Sequence, residues 1–150
     1  MEIGNLKQMI QVDFYILQAD QRQRKDRLAC QIADKAWHQN YQVYVHTESQ
    51  MAAEQLDVMM WVFKEESFLP HDVYYSNPAS IAPIQIGCMA HACQNMEVLI
   101  NMSKVVPPFF KQFQRIAEVV DHNNIEREAG RERYRFYKEQ NYTLKIHEIS

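Results

Sequence analysis

The residues whose types could together hold a metal are Cys88, His91 and Cys93, with His122 as the fourth ligand such a site would need. Thiolates and imidazoles are what zinc prefers, but this spacing matches no standard structural pair. A strand end and loop that merely contain these residues account for them, so no metal is expected. His71-Asp72 and Asp121-His122 are neighbours in sequence, and neighbours on a strand point apart, which is poor geometry for a general base and its orienting carboxylate. Nucleotide chemistry would need glycines that let backbone N–H groups approach a phosphate at a helix N-terminus. The glycines are Gly4, Gly87 and Gly130, which build neither G-x-G-x-x-G nor G-x-x-x-x-G-K-[ST], and the stretch Gln18 to Lys25 holds none. With no G-x-S-x-G elbow and no catalytic-cysteine signature, neither intrinsic catalysis nor a cofactor is expected.

The elements that would carry these residues follow from periodicity. Residues 12–17 form a short aromatic and branched run, apolar on both alternations after Asp13, and predict a buried first strand. Leu28, Ala29, Ile32, Ala33 and Ala36 then mark one face of a helix over about 26–38. A second strand is predicted over 41–46 and a second helix over 48–63, with Thr47 as N-cap. Strand candidates follow at 84–87, 98–101 and 116–120, with prolines at the breaks, and a last helix runs over about 124–140. A β-α-β-α start implies right-handed parallel crossovers with helices on both faces. The expected fold is therefore a single-domain three-layer α/β/α, Rossmann-like, with a mostly parallel sheet and no phosphate-binding loop. Residues 1–11 read as an N-terminal extension and 12–150 as the domain.

Composition bounds the partners. The 150 residues are 47% apolar and 23% charged, ordinary values for one packed domain. A formal net charge of −3 argues against a protein that coats nucleic acid, because phosphate binding needs a strongly basic surface. No run of 18 apolar residues and no leader pattern occurs at the N-terminus, so a cytoplasmic protein with no membrane partner is expected. Three cysteines without an export signal are expected to be reduced thiols.

Two surfaces stand out. If the second helix continues through residue 61, about 100° per residue turns Trp61 roughly 155° from the apolar face of Ala52, Leu56, Met59, Met60 and Phe63. An outward tryptophan is an interface anchor; alternatively the helix breaks early and Trp61 tucks under the loop 64–70. On the last helix, Ile125, Ala129 and Phe136 read as the inner face. Arg127, Arg131, Tyr134, Arg135 and Lys138 fall at i, i+4, i+7, i+8 and i+11, a basic stripe with one ring, while Arg133 lies roughly 160° around from Arg131. Such a stripe suits an acidic peptide, since guanidinium groups bind carboxylates bidentately. A solvated face laced by Glu128 and Glu132 is the plainer alternative.

Several segments in order carry a family resemblance: Leu28-Ala29-Cys30-Gln31-Ile32-Ala33, Trp37, Leu56-Asp57 with Trp61, Glu66-Ser67-Phe68-Leu69-Pro70-His71, Glu118-Val119-Val120-Asp121 and Arg131-Glu132-Arg133-Tyr134. From about residue 12 to residue 146 the chain resembles the DNA polymerase III chi subunit family. The resemblance implies a Rossmann-like fold without nucleotide and an adaptor with two partners. One is the psi subunit, which joins chi to the clamp loader, at positions matching Trp61 and Phe68. The other is the acidic C-terminal tail of single-stranded-DNA-binding protein, at positions matching Arg127, Arg131, Tyr134 and Arg135. Lys138 extends that stripe. DNA would be reached only indirectly. An iron–sulfur helicase is the alternative partner for the psi surface, and a nucleotide-dependent enzyme of the same fold is the alternative that the missing glycines oppose. The chain departs from the family at His122-Asn123-Asn124, which looks short, and at Gly130, where alanine is usual. The apolar wall of the tail pocket does not carry over.

Overall fold

The computed structural model describes residues 10–19, 24–63, 69–73, 82–88 and 96–150. Chain order runs β1 (Gln11–Leu17), α1 (Arg24–His38), β2 (Val43–His46), α2 (Gln50–Val62), β3 (His71–Val73), β4 (Ile84–Gly87) and β5 (Val98–Asn101). A 3-10 turn at Phe110–Gln112, β6 (Arg115–Val120), α3 (Asn124–Glu139) and β7 (Thr143–Ile149) complete it. The strands form one sheet in the order β3-β4-β2-β5-β6-β1-β7, parallel at every pairing. The expected Rossmann-like α/β architecture is the one found. β2, β4 and β5 are buried at every residue, which is why they read as continuous apolar runs.

Two elements were not legible in the periodicity as read. β3 has three residues, too few to show a period. β7 does alternate, Leu144 and Ile146 against Lys145 and His147, and that pattern was the available signal. The α2 N-cap is Ser49, not Thr47: Ser49 Oγ accepts from the Ala52 N–H at 3.1 Å, whereas Thr47 Oγ1 donates to the Ser49 and Gly87 carbonyls. Thr47 is bound to the end of β4 and cannot turn to the helix. Asn40 and Asn141 close α1 and α3 with φ of 70° and 64°, the left-handed conformation asparagine tolerates.

Helices α1 and α2 bury Leu28, Ala33, Leu56 and Met60 against one face of the sheet. The other face is covered by α3 and the 3-10 segment, through Tyr137, Phe109, Phe110 and Phe113. Cys30 is fully buried in the first layer, and burial pushes its thiol up to about 12. Among the described residues no helix is long and apolar enough to cross a membrane.

β1 feeds α1 on one face while its neighbour β6 feeds α3 on the other, and in doubly wound sheets ligands enter at such a reversal, beyond the strand carboxyl ends. Here side chains span that crevice. Lys25 Nζ donates to the Met102 carbonyl and to Glu126 Oε1, both at 3.0 Å, and Lys104 pairs with Glu48 at 3.0 Å and with Glu126 at 3.7 Å. Burial pushes the Glu126 carboxyl up, but the Lys25 charge and hydrogen bond, the Asp121 N–H and Lys104 outweigh it, so its pKa lies below the ordinary value. A lowered folded pKa contributes stability that is present above the ordinary carboxylate range and is lost as pH falls through the folded value. Glu126→Gln is therefore expected to destabilise the protein at neutral pH, with the deficit closing as pH drops through the carboxylate range. Urea midpoints across a pH series check this, and a deficit constant in pH would contradict it.

Candidate functional site: a basic groove and an apolar helix face

α3 begins where Asn123 Oδ1 accepts from the Glu126 N–H at 2.9 Å. Its buried residues are Glu126, Gly130, Arg133 and Tyr137, spaced i, i+4, i+7 and i+11. The expected inner face of Ile125, Ala129 and Phe136 is thus corrected: Ile125 is 71% exposed, and Ala129 and Phe136 lie half-buried on the flank. The cause sits on β6. Glu118 is fully buried, and Arg133 Nε donates to its Oε1 at 2.7 Å, the Tyr137 hydroxyl to its Oε2 at 2.6 Å, and Asn101 Nδ2 to both oxygens. A buried carboxylate must be matched by donors, so it draws an arginine inward where periodicity alone would choose an isoleucine. Burial, and then the Glu118 charge and hydrogen bond, push the Tyr137 hydroxyl well above its ordinary pKa and keep it a donor.

With Arg133 turned in, the stripe is left on the flank of α3 facing β1 and β7. A groove of about 360 Å³ opens there. Phe14 and Ile16 of β1, Val120 of β6 and Ile146 of β7 form its apolar floor; Arg127, Arg131, Tyr134 and Arg135 form its helical wall. Four of the five stripe residues are therefore brought together. Lys138 does not line the groove: it lies one helical turn past Tyr134 and is exposed. The Tyr134 ring meets Phe14 edge-on at 5.5 Å, which fixes it between floor and rim.

Arg131 and Arg135 pair with Glu128 at 3.0 Å and Glu132 at 3.1 Å, and all four side chains are about 60% exposed. These are the lacing carboxylates anticipated from the sequence. Exposed pairs of this kind contribute about 0–1 kcal/mol, so they compete weakly with an incoming carboxylate. Arg127 Nε donates to the His122 carbonyl at 2.9 Å. Gly130 lies against β6: a Cβ there would come within 3.0 and 3.1 Å of the Val120 methyls. Alanine at this position would gain roughly 1 kcal/mol in helix propensity but would press on a stiff β-branched side chain and narrow the floor.

On the opposite side of the sheet, α2 turns four large apolar side chains outward: Met51 at 67%, Val58 at 62%, Trp61 at 55% and Val62 at 67% exposure. Residues 51, 58 and 62 share one stripe, with Trp61 on its edge. Contiguous exposed apolar surface of this kind marks an interaction face. Trp61 points outward, and its ring packs edge-on against His71 at 4.9 Å. His71 in turn faces Asp57 Oδ1 at 3.1 Å from Nε2 and the Leu69 carbonyl from Nδ1, so the histidine works with a residue fourteen positions away rather than with adjacent Asp72. Phe68, the second residue expected on this surface, lies outside the described residues, as do His91 and Cys93. Among the described residues no cluster of three metal-ligating side chains occurs.

Sequence reasoning missed the floor of the groove. Phe14 and Val120 read as anonymous core, and Ile146 belongs to the unpredicted β7. Only the sheet order, which sets β1 between β6 and β7, brings them under α3.

The sequence profile of the family described as "DNA polymerase III chi subunit, HolC" matches residues 9–145. The chain is 34% identical over 141 residues to the DNA polymerase III subunit chi of Pseudomonas aeruginosa, covering 94% of this chain and 98% of that one. It is 26% identical over 120 residues to the subunit of the same name from Escherichia coli, covering 79% and 82% respectively. A solved structure, that of T4 UvsW, superposes with a TM-score of 0.62 at 9% identity, over 94% of this chain and 42% of that one, a likeness of fold alone.

Proposed function

Because the chain belongs to the DNA polymerase III chi subunit family, and so is an accessory subunit of that polymerase in DNA replication, we propose that it is a non-catalytic adaptor between two replication partners. In this reading the α2 face receives the psi subunit of the clamp loader, and the α3 groove receives the acidic C-terminal tail of single-stranded-DNA-binding protein. The observation that carries it is the groove itself, an apolar floor rimmed by three guanidinium groups on a chain whose net charge is negative. A local cationic rim over apolar surface suits a short acidic peptide that ends in an apolar residue and a free carboxylate. DNA is then reached only through the bound protein, in the cytoplasm, and several tails per multimer raise the effective concentration of the clamp loader without tight single contacts. An iron–sulfur helicase would be an alternative occupant of the α2 face.

Arg131→Ala is expected to weaken binding of a tail peptide by roughly 1.5–3 kcal/mol, the range for a hydrogen bond to a charged group. Folding stability should change little, since its side chain is 61% exposed. Affinity should fall as ionic strength rises. Lys111, exposed beside Phe110 and away from the groove, serves as the control, since Arg133 is buried. Equal losses for Arg131→Ala and Lys111→Ala in a calorimetric titration would remove the groove as the receptor.

A further inference from the structure

We infer that the acidic peptide does more than fill the groove: the segment preceding its terminal residues pairs backbone to backbone with the outer edge of β7. This rests on the tail reading above and extends it to a second mode of recognition.

The direction of the β7 backbone follows from one hydrogen bond. Gln18 N–H donates to the Ile149 carbonyl at 2.9 Å, with Leu17 opposite Ile149 in the parallel register. Along a strand, successive residues turn their N–H and C=O to opposite sides. Thr143, Lys145, His147 and Ile149 therefore face β1, and Leu144, Ile146 and Glu148 face outward. Among the described residues no strand pairs with that outer side, because β7 ends the sheet.

The two sheet edges differ. β3, at the far edge, has three residues among those described. β7 has seven, a length that leaves an open template. Ile146 links this template to the groove, since its side chain, 53% exposed, forms the outermost part of the floor while its backbone N–H and C=O point off the edge. A peptide whose end lies beneath Arg131 and Arg135 and which leaves the groove past Ile146 meets those groups directly. Charge selects the register. Glu148 repels an acidic segment at the carboxyl end of β7, so pairing falls over Thr143 to Ile146, where Lys145 is the charged residue. Main-chain pairing of this kind gives affinity independent of sequence, while the groove supplies the specificity.

The test is amide hydrogen exchange of the full chain, followed residue by residue, with and without a synthetic acidic peptide of about ten residues carrying a free C-terminal carboxylate. The Leu144 and Ile146 amides, open in the free protein, are expected to slow by about tenfold or more at saturation, while Lys145 and His147, already bonded to β1, keep their rates. Methylating single backbone nitrogens of the peptide upstream of the groove should lower affinity by about fivefold per lost hydrogen bond, at alternate positions only. Binding that depends on Arg131 but leaves Leu144 and Ile146 exchanging freely would overturn the edge pairing and leave the tail reading standing. No binding at all would remove both. Uniform slowing across α3 and β7 would signal general stabilisation and would also overturn the edge pairing.

Discussion

Arg133→Ala is expected to cost about 3–5 kcal/mol of folding stability, the range for breaking one side of a buried ion pair. Arg133 is 2% exposed, and it supplies both the 2.7 Å hydrogen bond to Glu118 and a 3.0 Å bond from Nη1 to the Lys104 carbonyl. Without it the Glu118 carboxylate keeps, among the described residues, the neutral donors Tyr137 and Asn101 and no counter-ion. A typical domain has about 5–15 kcal/mol of total stability, so the loss threatens the fold itself. Chemical denaturation is the measurement, and a loss below about 1 kcal/mol would contradict the buried pair. Replacing both partners, Glu118→Leu with Arg133→Met, should recover part of the deficit, because no buried charge is then left unpaired, although the buried Tyr137 hydroxyl loses its acceptor. Nη2 of Arg133 is itself buried with no hydrogen-bond partner among the described residues, a further reason for apolar replacement to be tolerated.

Trp61→Ala is expected to reduce affinity for the psi subunit by about 2 kcal/mol or more, roughly thirtyfold in Kd, as truncation of a central aromatic anchor does. The side chain is 55% exposed and packs edge-on against His71, so folding stability should fall by about 1 kcal/mol and the fold should hold. Smaller losses are expected for Val58→Ala and Val62→Ala, smaller exposed side chains beside it on α2. Titration of the folded variants with purified psi separates these. If Trp61→Ala bound psi as tightly as the parent, the anchor would have to be sought elsewhere on the surface.

These two residues mark the boundary between local pattern and tertiary context. Given a helix that continues through residue 61, the outward phase of Trp61 follows from the sequence; that α2 runs to Val62 was decided by the structure, and it sets aside the alternative in which Trp61 tucks under the loop 64–70. Arg133 could not be read in the same way. α3 has few apolar residues and many charges, so its helical phase says which side chains share a face but not which face turns inward. That choice is made by Glu118, fifteen residues upstream on β6, whose buried carboxylate outbids Ile125 for the interior.

By itself the sequence determined the α/β class, since strands buried on both faces and amphipathic helices betray themselves by period and by apolar runs. It also determined that neither glycine-rich phosphate motif is present, and the spacing that sets Arg127, Arg131, Tyr134 and Arg135 on one stripe. The tertiary structure alone decided that the stripe would border a groove and that Lys138 would stand outside it. It also decided that the floor would come from three strands. The physical reason is that strand order is non-local: Phe14, Val120 and Ile146 meet only because β1 inserts between β6 and β7, and no helical or strand period encodes that neighbourhood.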